Sequence, residues 1–226
     1  MMGAMLKLIT NHLITRQILF GIGILLLFLA TWSSRTTYAQ PQDEVIQTVE
    51  NHYGTLIDLT AKVVQKNILK AIERIQTFEG TLWIKKPGKL RLEYTNGQLI
   101  LIDGDTALFY SKKSEQVVKK KFTDFQQMNI PVAFLLGAAH IRDDFEVVQP
   151  DPQKPRFLEL HPRKQGAAMK KITIQADDGG RIMQMAIFDR SGNITEIAFS
   201  DVKEETGVKD KSFVFKAPKG TEIIEQ

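Results

Sequence analysis

The chain has 226 residues, with 30 basic and 26 acidic side chains and no cysteine. A hydrophobic share of 43% beside 25% charged residues is that of a folded domain, and excludes disorder, collagen-like repeats and a multi-span membrane protein. The missing thiol excludes a cysteine nucleophile, an iron–sulfur cluster, c-type haem attachment, a cysteine-based zinc site and a lipid-bearing cysteine.

The formal charge of +4 is partly concentrated at the start, where Lys7, Arg16 and Arg35 face no acid before Gln40. The remainder is near neutral and gives no electrostatic case for nucleic acid. Met1–Gln17 is basic, Ile18–Ala30 is an unbroken apolar run, and Thr37-Tyr38-Ala39 fits a signal-peptidase site. The pattern predicts a signal peptide over residues 1–39, cleaved after Ala39, and a single domain over residues 40–226 that works outside the cytoplasm. The competing reading is an uncleaved anchor. A span takes about 20 apolar residues, which this run reaches only by counting through Thr31 and Trp32.

Asp43–Leu59 reads as a helix, with Val45, Ile46, Val49, Tyr53, Leu56 and Ile57 at three- and four-residue steps and Asp43 as N-cap. The pattern then turns to period two. Lys89–Tyr94, Lys171–Ala176 and Ile194–Ser200 alternate cleanly. Further strands are expected at Ala61–Asn67, Thr77–Lys85, Leu99–Asp103, Ala107–Ser111, Gln116–Phe122, Phe145–Val148, Phe157–His161, Arg181–Asp189 and Ser212–Lys216. Asn96-Gly97, Asp103-Gly104-Asp105, Asp177–Gly180 and Ser191-Gly192-Asn193 are turn signals. Such short connections argue for an antiparallel meander and against a parallel sheet. Thr123–Phe145 interrupts the rhythm and reads as one or two short helices on one face of the sheet, with Pro131 in a first turn and Gly137 at an end.

The chemistry-bearing residues form no recognisable catalytic set. His52, His140 and His161 have no metal-ligand spacing, and Asp177-Asp178-Gly179-Gly180 lacks the register of a calcium loop and reads as a hairpin turn. There is no nucleophile elbow, phosphate loop or dinucleotide fingerprint. Lys119-Lys120-Lys121 reads as charged protection of a strand edge, the alternative being a patch for anionic headgroups or an acidic partner. What stands out is apolar surface: the Leu90/Leu92/Tyr94 stripe, the Phe125–Leu136 block and the first helix. These close a dry core or, on a strongly curved sheet, line a cavity for acyl chains. Periodicity alone does not separate the two.

Leu82-Trp83-Ile84-Lys85-Lys86-Pro87 followed by Lys89–Tyr94 resembles the signature of the periplasmic outer-membrane lipoprotein carrier family (LolA-like). In order after it come Asp103-Gly104, the aromatic strand Leu108-Phe109-Tyr110, Glu115-Gln116-Val117, Asn129-Ile130-Pro131 with Phe134-Leu135-Leu136, Leu160-His161-Pro162-Arg163-Lys164, and Phe213-Val214-Phe215 with Pro218-Lys219-Gly220. Two positions depart from the family pattern. Lys86 stands where arginine often latches the helical lid, and lysine lacks the planar donor fork. Val63-Val64-Gln65 lacks the aromatic of an early F-x-Q strand, which implies a wider cavity wall there.

The resemblance implies a mainly β (α+β) fold: a strongly curved antiparallel sheet forming a half-barrel, covered by a lid of short helices. It implies an acyl-chain cavity bounded by Leu90, Leu92, Tyr94, Trp83 and Phe109, a lid containing Phe134, Leu135, Leu136 and Pro131, and Lys86 as lid latch. It implies a monomeric periplasmic carrier without catalysis or cofactor. Its partners would be acylated lipoproteins, an inner-membrane lipoprotein-releasing ABC transporter and an outer-membrane lipoprotein acceptor. A free-lipid carrier or an acyl-sensing envelope-stress regulator on the same half-barrel is the alternative, and an enzyme the third. On this reading Leu90→Glu impairs cargo loading and leaves the fold intact.

Overall fold

The computed structural model describes residues 41–122, 135–136, 141–164 and 169–225. The expected leader, Pro131 and Phe134 lie outside the described residues, as does most of the expected helical insertion. Among the described residues no helix is long and apolar enough to cross a membrane.

Helix α1 (Pro41–Thr55) leads into strands β1 (Asp58–Leu69), β2 (Arg74–Lys85), β3 (Lys89–Tyr94), β4 (Gln98–Asp103), β5 (Thr106–Ser111) and β6 (Gln116–Lys121). The four-residue helix α2 (Ile141–Asp144) precedes β7 (Phe145–Val148), β8 (Phe157–Pro162), β9 (Met169–Ala176), β10 (Ile182–Asp189) and β11 (Ile194–Glu204). A 3₁₀ turn over Asp210–Phe213 and strand β12 (Glu222–Glu225) finish the chain. The fold is mainly β. Among the described residues twelve strands form one open, curved sheet in the order β12-β6-β5-β4-β3-β2-β1-β11-β10-β9-β8-β7.

The alternation seen in the sequence sorts the two faces. Cross-strand partners share a face. One row runs Leu82–Leu92–Ile100–Phe109–Val118 across β2 to β6, and the next runs Ile84–Leu90–Ile102–Ala107. On the other half, Gln65–Ile197–Met185–Ile174–Leu158 continues the same side. Val45, Ile46, Val49 and Tyr53 of α1 pack on that side with Leu135 and Leu136. The opposite side carries a smaller cluster of Leu99, Leu101, Leu108, Val117, Val208 and Phe213.

Three expectations need correction. Helix α1 starts at Pro41, so Asp43 sits in its first turn, where a carboxylate favours the helix dipole. It stops at Thr55 because Ile57 is drawn out: its N–H donates to Glu205 Oε1 at 3.0 Å and its carbonyl accepts from Lys86 N at 2.8 Å. Ser212–Lys216 is not a strand. Its Phe-x-Phe alternation instead packs on the outer face, with Phe213 buried and the Phe215 ring 4.9 Å from that of Tyr110. Among the described residues the sheet also holds one parallel ladder, β12 with β6, while every other ladder is antiparallel. That strand covers the edge which the lysine run was expected to protect, with Lys119 Nζ 3.5 Å from Glu225 Oε1.

Helix α1 is fastened at both ends. Arg142 Nη2 donates to Asp43 O at 2.7 Å, and Ile141 N donates to Glu50 Oε1 at 3.1 Å. At the other end Glu204 Oε1 accepts from Arg181 Nε at 2.8 Å and lies 3.1 Å from His52 Nε2. The β9–β10 turn is the predicted one, with Asp177 Oδ1 accepting from Gly179 N and Arg181 N. It brings Gly180, at φ +86°, against the helix: an added Cβ would stand 2.5 Å from Thr48 O. Gly180→Ala is therefore expected to cost about 2–3 kcal/mol, from strain and backbone collision together. Gly104→Ala, where φ is +112° but nothing lies within 4 Å, should cost about 1 kcal/mol. Urea midpoints of the two variants check the difference.

Candidate functional site

The apolar side of the sheet, on which α1 packs, is the candidate site. Leu90 is 2% exposed and belongs to the main cluster; Leu92 and Phe109 are half-buried against it. Tyr94 is on the same face, two residues beyond Leu92, and its hydroxyl donates to Gln65 Oε1 at 2.5 Å. Its ring meets Phe78 edge-on at 5.8 Å. Burial pushes the Tyr94 phenol up to about 12, so it stays a neutral donor at any physiological pH. Gln65 is the one polar group that sequence reasoning tied to this wall, and Phe78 is an aromatic it missed. Phe78 stands directly opposite Gln65 in the β1–β2 register.

Trp83 is a correction. It alternates with Leu82 and Ile84, so it faces the other way and packs with the outer cluster. The other cavity residues named from the sequence, Leu90, Leu92, Tyr94 and Phe109, fall on one face. Leu135 and Leu136, named for the lid, are both buried in the cluster that contains α1 and this face. Between Tyr53, Leu59, Leu82, Ile84, Leu135 and Phe199 there remains a cavity of about 10 Å³. That is room for about one water molecule, so these walls must part before they admit a chain of methylenes.

Lys86 follows β2 in the turn before β3. Its side chain is half-buried and has no hydrogen bond or ion pair with the described residues. Burial alone holds its ammonium below the usual lysine range. Neighbouring Lys85 and Lys89 are both engaged by Asp210, at 3.0 and 2.8 Å. Lys86 is thus the lysine of this turn without a carboxylate.

The outer face is chemically different. One open groove there, of about 690 Å³, is lined by Lys89, Lys119, Lys121, Asp103 and Asp210 beside Phe213. A second, of about 760 Å³, holds Lys66, Glu159, Lys171 and Phe188. In the latter, Lys171 Nζ donates to Glu159 Oε1 at 2.6 Å, and that bond holds the Glu159 carboxyl below its usual range. Ion pairs of this kind suit water, not hydrocarbon. Among the described residues no group of three or more His, Asp or Glu is placed to hold a metal.

The family model described as "Outer membrane lipoprotein carrier protein LolA" matches residues 55–216. The chain belongs to that family. A relative named outer-membrane lipoprotein carrier protein from Pseudomonas paraeruginosa is 26% identical over 204 residues, covering 88% of this chain and 97% of the relative. One of the same name from Cupriavidus necator is 30% identical over 154 residues, covering 66% of this chain and 72% of the relative. Among solved structures, an uncharacterized conserved protein from Thermus thermophilus aligns with a TM-score of 0.51 at 13% identity. It covers 83% of this chain and 100% of that one, and shows the fold alone. The family match spans β1 to the outer-face Phe213–Phe215 segment, and so takes in the whole apolar face described above.

Proposed function

We propose that this protein is a periplasmic carrier that takes up the acyl chains of lipoproteins leaving the inner membrane and delivers them to an outer-membrane acceptor. The observation that carries the reading is the continuous apolar row Leu82–Leu92–Ile100–Phe109–Val118 on the side of the sheet that α1 packs against, in a chain of the lipoprotein carrier family. Each methylene removed from water contributes about 0.8 kcal/mol, so an acyl chain crosses an aqueous space only inside such a wall. Loading parts α1 and the Leu135–Leu136 segment from the sheet, and Lys86, half-buried beside Ile57, is the cation available to latch or release the lid. Residues 1–39 serve as the cleaved signal, an inner-membrane ABC transporter is the donor, and the carrier acts as a monomer. No catalysis and no cofactor enter: donor, carrier and acceptor form a series of increasing affinity for the same chains.

The test is loading. The purified protein is mixed with a fully acylated lipoprotein in detergent, the detergent is removed, and native mass spectrometry scores soluble complexes. A control cargo has its lipid-bearing cysteine replaced. A one-to-one complex with the acylated cargo only is the expected result. Free lipid co-purified with the carrier, with neither cargo bound, would transfer the assignment to a free-lipid carrier. An empty protein in both mixtures would make the apolar face plain core.

A further inference from the structure

The β1–β2 hairpin ends in a turn that the carrier reading does not use. Lys70–Ile72 form a 3₁₀ turn, Glu73 closes it at φ +47°, and β2 begins at Arg74. Ile72 and Ile75 are 63% and 64% exposed, the highest among the large apolar side chains described. Isoleucine gains nothing from that position in water. The hairpin also projects: β3 ends at Tyr94 opposite Gly80, so no strand flanks Arg74–Phe78 on that side. The tip is nonetheless firmly built. Ile68 pairs with Ile75 across the hairpin and with Ile194 of β11, and Lys70 N donates to Asn193 Oδ1 at 3.1 Å.

Cations share the hairpin with the two isoleucines. Lys66, Lys70 and Arg74 are exposed on the hairpin. The acids nearby are Glu73 at the tip, Glu196 opposite Lys66, and Asp189, whose carboxylate accepts from Asn193 N and Nδ2. Exposed apolar side chains at a hairpin tip with Lys70 and Arg74 beside them match one partner geometry: hydrocarbon beneath a layer of phosphates. A protein partner would need a concave pocket for the same tip. We propose that this hairpin tip is a membrane-contact device, which seats Ile72 and Ile75 at the acyl boundary of an anionic bilayer while Lys70 and Arg74 lie at headgroup level. Two aliphatic side chains and a few cations give a weak, salt-sensitive, reversible attachment, suited to a protein that visits a membrane and leaves. The proposal does not depend on acyl carriage.

The chain has no cysteine, so Ile72→Cys gives a unique labelling site, and Asp105→Cys, in the exposed turn at the opposite end of the sheet, gives the control. Each carries a polarity-sensitive fluorophore. The full chain is mixed with vesicles of phosphatidylethanolamine and phosphatidylglycerol containing brominated lipid. The expected result is quenching and a blue shift at position 72, none at 105, loss of both in high salt, and loss on purely zwitterionic vesicles. In a cysteine-free background, Ile72→Ser with Ile75→Ser should lower the vesicle partition coefficient roughly tenfold or more, with an unchanged melting temperature because both sites are exposed. A label at 72 that stays in water while the protein is vesicle-bound overturns the proposal, since attachment then runs through another segment such as residues 18–30. Shielding of position 72 by native membrane vesicles but not by vesicles of their extracted lipids also overturns it, in favour of a membrane protein.

Discussion

Leu92→Glu is expected to leave a folded protein that no longer loads acylated cargo, while Leu90→Glu is expected to unfold it. The two leucines share a face and differ in surroundings. Leu90 is 2% exposed between Ile84 and Ile102, so a carboxylate there has no route to water. Losing the leucine and burying the charge together should cost about 5 kcal/mol or more, comparable to the whole stability of a typical domain. The sequence-based expectation that Leu90→Glu spares the fold is therefore replaced by Leu92, which is half-buried between Leu82 and Ile100. A glutamate at Leu92 can turn its head to water at about 1–2 kcal/mol, yet it places a charge in the path of an incoming methylene chain. Soluble complex with acylated lipoprotein should fall at least about tenfold, read by native mass spectrometry beside a thermal melt. Normal loading of a folded Leu92→Glu protein would sink the assignment of this face as the acyl wall.

Asp58→Ala is expected to remove about 2–3 kcal/mol of stability at neutral pH and most of the acid sensitivity that Asp58 confers. Asp58 is 3% exposed at the start of β1. Its Oδ1 accepts from Thr206 N at 2.8 Å and Thr206 Oγ1 at 2.9 Å, and its Oδ2 from Gly207 N at 3.1 Å. Burial pushes this carboxyl up, but the hydrogen bonds from Thr206, Val208 and Gly207 outweigh it and hold the group below its ordinary 3.8. A carboxyl lowered by folding stabilises in full above its unfolded value, and that contribution is lost as pH falls through the folded value. Urea midpoints of wild type and variant should therefore lie furthest apart near neutral pH and converge below about pH 3.8. A gap that is constant with pH would show that packing, not the charge, is what Asp58 provides.

Much of this architecture was legible because strand periodicity is a local signal. Lys89–Tyr94 and Phe145–Val148 have the boundaries their alternation predicts, and the Asp177–Gly180 turn is built by the aspartate that marks it. The misses have local causes. The place of Trp83 in the motif points to the cavity wall, but its parity against Leu82 and Ile84 puts it on the other face. Phe213 and Phe215 alternate as a strand does, but they bury themselves on the outer face without a ladder. Strand β12, Glu222–Glu225, has two adjacent isoleucines and no alternation, and it is held by its parallel neighbour and not by any pattern of its own. The isoleucines of the β1–β2 tip do not stand out as a pair in the sequence, because they straddle Glu73-Arg74, one in the turn and one in β2.

The position of β1 sets the order in which this molecule can be completed. One edge of β1 pairs with β2, its immediate successor, but the other pairs with β11, where Leu59 meets Glu204. A chain emerging from its N-terminus can therefore zip β1 to β6 as local hairpins while one flank of a twelve-residue strand stays open. That flank closes only when residues 194–204 arrive, a long-range step of the kind that slows folding. Until then it is an unpaired edge able to recruit the same segment of another copy. Nascent or truncated forms ending before β11 should for that reason be far more dependent on holding chaperones than the finished protein.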